Sequence, residues 1–137
     1  MRRRLETARG RVILTGFIPP ERIPQAYLLG DIFVGPSQIK EGLGMVFLEA
    51  AAAGLPIIAT RRGGIPEIVQ EGLNGLLLTQ HDDPQELAAK IMQLLEDRDL
   101  RLRLGQQGRA WVQEHFSWEK IARRQEEVYD EIVGSEQ

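Results

Sequence analysis

Cysteine is absent from all 137 residues. Disulfides, thiolate metal sites and thiol catalysis are thereby excluded, a composition that suits the cytosol. No apolar run approaches the roughly 20 residues of a membrane span. The opening MRRRLETARG holds no apolar stretch that would make a signal peptide. The expected location is cytoplasmic, with any membrane association peripheral. A basic excess is also lacking: 17 Lys and Arg against 20 Asp and Glu leave a formal net charge of −3, which argues against a protein built around nucleic-acid phosphates. The short basic run Arg2-Arg3-Arg4 reads as a solvated end. Histidine occurs twice. His81 reads as a polar loop residue and His115 as the end of a helix, and no spacing suggests a metal-ligand cluster.

What is present is the composition of one globular domain: 42% hydrophobic and 27% charged residues, punctuated by 14 Gly and 7 Pro. RVILTG (11–16) is a short apolar run closed by glycine and predicts a buried strand. A proline-rich turn follows, then a helix near 21–29, a second strand at IFVGPS (32–37), and a helix from about Gly44 to Ala53 stopped by Gly54. PIIAT (56–60) and NGLLLT (74–79) are further strands, separated by a Gly-rich loop and a short helix at PEIVQEG. Continuous apolar strands alternating with helices predict an α/β fold, a parallel sheet covered on both faces.

From Asp83 onward no strand signal appears. Asp83 as N-cap, Pro84 at the first helical position and Glu86 three residues after the cap approach a capping box. Helices are expected from Pro84, over about 99–115, and after Ser117, with Trp111, Phe116 and Trp118 anchoring them. The boundaries predicted are one domain over 1–133, with its helical part at 84–133, and a disordered tail at 134–137.

Ligands of open α/β sheets bind beyond the carboxyl ends of the strands. The loop GPSQIKEGLG lies there and leads into a helix, so that backbone N–H groups at Gly44, Met45 and Val46 can cradle a phosphate. Gly63 and Gly64 in RRGGIPE are free to adopt positive φ and admit a close ligand. Taken alone, GLGMVF is only part of a dinucleotide fingerprint, because Phe47 stands at the third glycine. The glutamates add to it. Glu41 precedes the helix and Glu49 sits two turns into it among core-like residues. Two acceptors flanking phosphate-binding amides match a ligand with hydroxyls at both ends and phosphate between, such as a nucleotide sugar. The plain alternative makes Glu41 a solvated loop carboxylate and pairs Glu49 with an arginine.

PSQIKEGLGMVFLEAAAAGLPIIATRRGGIPEIVQEGLNGLLLTQHDDPQELAAKIMQLL resembles the donor-binding domain of retaining glycosyltransferases of family 4, the group-1 type with two Rossmann-like domains. The pair Glu41 and Glu49 in an E-x7-E spacing, the preceding Pro-Ser, EAAAAGLPIIAT, GGIPEIV, GLNGLLL and HFSW stand in the family's order. The resemblance implies a Rossmann-like parallel sheet, part of the C-terminal domain of a GT-B fold, with a helical C-terminal segment. It implies a glycosyltransferase part that binds a nucleotide-diphosphate sugar and passes a hexosyl group to an acceptor. Glu41 would meet the donor sugar near the reacting carbon and Glu49 the ribose hydroxyls. Gly42, Leu43, Gly44, Met45 and Val46 would hold the diphosphate, and Phe17, Ile18 and Pro19 would face the base. Retention would proceed by front-face attack assisted by the leaving diphosphate, with neither glutamate as nucleophile and no metal or cofactor.

There are departures. Leu43 replaces the Phe common in the family. Two strands, a Gly-rich turn and the Arg and Lys that neutralise the diphosphate precede RVILTG in the family and have no counterpart in these residues. Lys40, Arg61 and Arg62 lie near the site but at other positions. RVILTG would then lack its usual neighbour, and exposed strand edges are templates for pairing. The partners expected are a nucleotide sugar, the acceptor-binding domain and a second copy joined by strand pairing or exchange, but no nucleic acid. Alone, the chain is expected to transfer little or nothing. A second reading is a non-catalytic glycosyltransferase-like interaction module, which nucleotide binding would discriminate.

Overall fold

The computed structural model describes residues 12–39, 42 and 44–134. The basic run at the start, Lys40, Glu41, Leu43 and residues 135–137 lie outside the described residues. After a 3-10 turn at Pro20–Arg22, the elements are α1 (Ile23–Leu28), β1 (Phe33–Gly35), α2 (Met45–Ala52), β2 (Ile57–Thr60), α3 (Ile65–Ile68) and β3 (Gly75–Leu78). Three longer helices follow, α4 (Pro84–Glu96), α5 (Arg98–His115) and α6 (Trp118–Gly134).

The strands form one parallel sheet in the order β1-β2-β3, with Val34 opposite Ile58 and Ile58 opposite Leu76. Alternation along β2 assigns its side chains to two cores. Ile57 and Ala59 join Phe47, Ala50, Ile65 and Val112 on one face, whereas Ile58 joins Leu76, Leu78, Leu94 and Leu104 on the other. Every residue of β2 and β3 is buried, as their unbroken apolar sequences require of strands covered twice.

One expected strand is not there. Residues 12–16 form no ladder with any described residue, and Val12, Ile13 and Leu14 are 49%, 66% and 62% exposed. A strand exists only through a partner, and this segment has none among the described residues.

Two helix ends carry the junctions. The Gly54 N–H bonds the Ala51 carbonyl (2.9 Å) and the Leu55 N–H the Ala50 carbonyl (3.0 Å), with Gly54 at φ +81, a Schellman closure of α2. At the start of α4, Asp83 caps the Gln85 N–H at 2.8 Å as expected. The capping box does not close, however. Glu86 accepts from the Thr79 and Gln80 N–H groups instead, both at 2.9 Å, and so ties the exit of β3 to the helix. The Asp83 N–H, which a capping box would pair with Glu86, donates instead to the Gln80 carbonyl at 3.5 Å.

The expected aromatic anchoring holds only in part. Trp111 and Phe116 pack against the core, but Trp118 is 79% exposed and α6 buries no residue. Among the described residues no helix is long and apolar enough to cross a membrane.

Candidate functional site

The site begins at the amino end of α2. Gly44 takes φ +68 and ψ 62, a left-handed conformation that glycine adopts without strain, and no side chain caps the helix there. The first amides of α2 therefore point outward with the positive end of the helix dipole. Met45 and Val46 are 52% and 43% exposed, and Gly42 is exposed. The loop before them is tied to the sheet. The Thr60 hydroxyl, at the buried end of β2, donates to the Ser37 carbonyl at 2.7 Å, and the Arg62 guanidinium donates to the Gln38 carbonyl.

Glu49 follows one turn into α2, on its exposed face. Among the described residues its partner is not an arginine. The Tyr27 hydroxyl, from α1, donates to Glu49 Oε2 at 2.9 Å and lies 3.4 Å from the Val46 carbonyl. Burial, and then the hydrogen bond and charge of Glu49, push the Tyr27 phenol up to about 12. Both side chains line an open cavity of about 460 Å³ between α1 and α2, whose other walls are Pro20, Ile23, Pro24, Leu28, Ala52 and Ala53. A carboxylate lining an apolar cleft, about one turn along the helix from free amides, can hold a diol and an anion of one ligand.

The other expected site residues divide. Phe17 is 86% exposed and lines neither this cavity nor its neighbour. Ile18 lines a second, smaller cavity of about 320 Å³ on the other side of Tyr27, and the Pro19 carbonyl accepts the Arg22 N–H of the 3-10 turn. Gly63 adopts φ +54, but Gly64 has φ −80 and serves as N-cap of α3, so only one of the two glycines uses its freedom. The Arg61 guanidinium lies 4.0 Å from Glu71. Among the described residues no group of three metal-ligating side chains converges. Tyr27 and Thr60 were not foreseen as site residues, and Arg62 was expected only to lie near the site. The sequence signal for Tyr27 was a phenol beside Ala26, Leu28 and Leu29 in the helical stretch PQAYLL.

The model of the family described as glycosyl transferases group 1 matches residues 4–111. The chain belongs to this family. It is 40% identical over 114 residues to spore coat protein SA of Bacillus subtilis, covering 83% of this chain and 30% of that protein. Its fold matches sucrose-phosphate synthase of Thermosynechococcus elongatus with a TM-score of 0.81 at 34% identity, over 91% of this chain and 31% of that one. It also matches HepE of Anabaena, solved in complex with UDP-glucose, with a TM-score of 0.73 at 30% identity, over 80% and 30% of the two chains. The chain thus spans about a third of the length of the relatives it matches. The Rossmann-like α/β assignment stands on both the sheet and these likenesses.

Proposed function

We propose that this chain is the nucleotide-sugar-binding part of a retaining glycosyltransferase that moves a hexosyl group to an acceptor held by another domain. The observation that carries the reading is the position of Glu49, a carboxylate lining the cleft between α1 and α2, about one turn along α2 from the uncapped amides of Gly44, Met45 and Val46. In this reading Glu49 binds the ribose hydroxyls and those amides the diphosphate, with Gly42 and Leu43 completing the turn. Glu41 contacts the sugar near the carbon that reacts. Ile18 and Pro19 flank the base, with Phe17 at the outer edge. The UDP-glucose held by HepE supports a hexose nucleotide as the ligand class.

Calorimetric titration of the chain with UDP, GDP, ADP and a matching sugar nucleotide tests this. Binding of one base, weakened at least tenfold by Glu49→Ala, is expected from loss of a charged hydrogen-bonding partner. Glu41→Ala should weaken the sugar nucleotide more than the bare diphosphate. A folded chain that binds none of them would favour the interaction-module reading.

One observation also favours a pairing surface. β1 has a neighbour on one side only among the described residues, with the exposed Val12, Ile13 and Leu14 nearby in sequence. Such an edge would accept a strand from a second copy or from another segment. The mass in solution decides between a self-paired dimer and a monomer.

A further inference from the structure

We propose that Tyr27 is a positioning residue for Glu49: its hydroxyl holds one carboxylate oxygen so that the other is presented to the hydroxyls of a ligand in the α1–α2 cleft. The proposal rests on the donor-binding reading above. It starts from the connectivity of the bond, which joins residues 22 apart on two helices at 2.9 Å. A phenol offers a single proton, and an ionised carboxylate accepts at both oxygens. With Oε2 occupied, Oε1 remains the acceptor.

The phenol is itself held in place. Its ring packs on Phe33 at 5.7 Å with a tilt of 51°, and Phe33 packs edge-on against Phe47 at 5.8 Å and 85°. Phe47 is 1% exposed and belongs to the core. A Cβ at Gly35 would lie 2.5 Å from the Phe47 ring, so the glycine at the end of β1 is what gives that ring its room. An aromatic column therefore runs from the core of the sheet to the cleft and ends on the carboxylate. Rigid packing behind a ligand-binding group removes the entropy that a free side chain would lose on binding.

Nothing else described competes for Glu49. No lysine, arginine or histidine among the described residues forms an ion pair with it, and the remaining cleft walls are apolar. A salt bridge would neutralise the carboxylate and hold it through flexible side chains. Tyrosine orients it and leaves its charge intact.

The test compares nucleoside diphosphates with their 2′,3′-dideoxy counterparts, which lack both hydroxyls, on the full chain, using UDP, GDP and ADP and thermal unfolding as a control of folding. Wild type should prefer the ribonucleotide of its base. Tyr27→Phe keeps the ring and removes the hydroxyl. It should weaken the ribonucleotide roughly tenfold, the order expected for a charge-assisted hydrogen bond, and leave the dideoxynucleotide nearly unchanged. Adding Tyr27→Phe to Glu49→Gln should then cost little more.

A variant that weakens ribo- and dideoxynucleotides equally, or neither, would overturn the positioning role and leave the bond as a tie between helices. A wild-type chain that is folded but binds no nucleotide would overturn the donor-binding reading and the proposal with it. Failure of Tyr27→Phe alone would leave that reading standing. The bond can also be tested without ligand. In a Tyr129→Phe background Tyr27 is the only tyrosine left, and its ultraviolet titration should move down from about 12 on Glu49→Gln. An unmoved titration would overturn the contact itself.

Discussion

Asn74 is fully buried, yet both ends of its amide are satisfied: Nδ2 donates to the Ile68 carbonyl at 2.7 Å and Oδ1 accepts the Gln70 N–H at 2.8 Å. It closes the turn between α3 and β3, and its own carbonyl takes the Ile57 N–H at 3.1 Å. Asn74→Ala should therefore destabilise the chain by about 1–3 kcal/mol, the range for stranding buried polar groups, as read by urea unfolding. Tyr27 gives a pH prediction. Its folded pKa, pushed up to about 12 mainly by burial and then by Glu49, lies above the ordinary 10.0. The neutral phenol is the form the fold favours, so its contribution is complete below pH 10 and is lost as pH rises toward 12. Tyr27→Phe should flatten the stability curve across that alkaline window, measured by denaturant unfolding at a series of pH values. At this scale the sequence marked Glu49 as out of place among apolar neighbours. It could not name the partner, because the phenol that meets it comes from another helix.

Among the elements, α5 shows how closely helices approach. Gly105 and Gly108 are buried on its inner face. A Cβ at Gly105 would lie 2.1 Å from the Gly54 carbonyl oxygen at the end of α2, and one at Gly108 would lie 2.9 Å from Asn74 Cβ. Alanine normally stabilises a helix over glycine by about 1 kcal/mol. At Gly105 the overlap is with backbone and should reverse the sign, so Gly105→Ala is expected to cost about 1–3 kcal/mol and lower the melting temperature. The end of β3 yields an acid-side prediction. The Thr79 and then the Gln80 amides hold Glu86 below its ordinary carboxylate pKa. That contribution is present above the unfolded carboxylate's pKa and lost as pH falls through the lowered one. Glu86→Gln should reduce the loss of stability between neutral and acid pH, followed by thermal melts. The capping pattern at Asp83 was half legible. Asp83 bonds an amide two residues on, a local event, whereas the reach of Glu86 back to β3 needed the sheet to be in place.

For the molecule as a whole, the folded mass lies around β2 and β3, and α6 stands outside it. No residue of α6 is buried, and Trp118, Val128 and Tyr129 are 79%, 48% and 58% exposed. A chain ended after Ser117 should therefore keep its melting temperature within a few degrees, since little apolar area is withdrawn from water by that helix. A large drop in a calorimetric scan would show that α6 packs in solution against something, a second copy included.

The α/β class, the order and approximate bounds of nine of the elements and the glycine that ends α2 were legible in the sequence alone. These are local properties: periodicity, breaker residues and motif spacing act within one element or between neighbours in the chain. Only packing settled that residues 12–16 form no strand with any described residue, that Trp118 stays in water, and that among the described residues Tyr27 and not an arginine meets Glu49. Each of these depends on which surfaces meet after folding. A strand needs a partner's amides, an aromatic needs an opposing wall and a carboxylate takes whichever donor packing brings within reach.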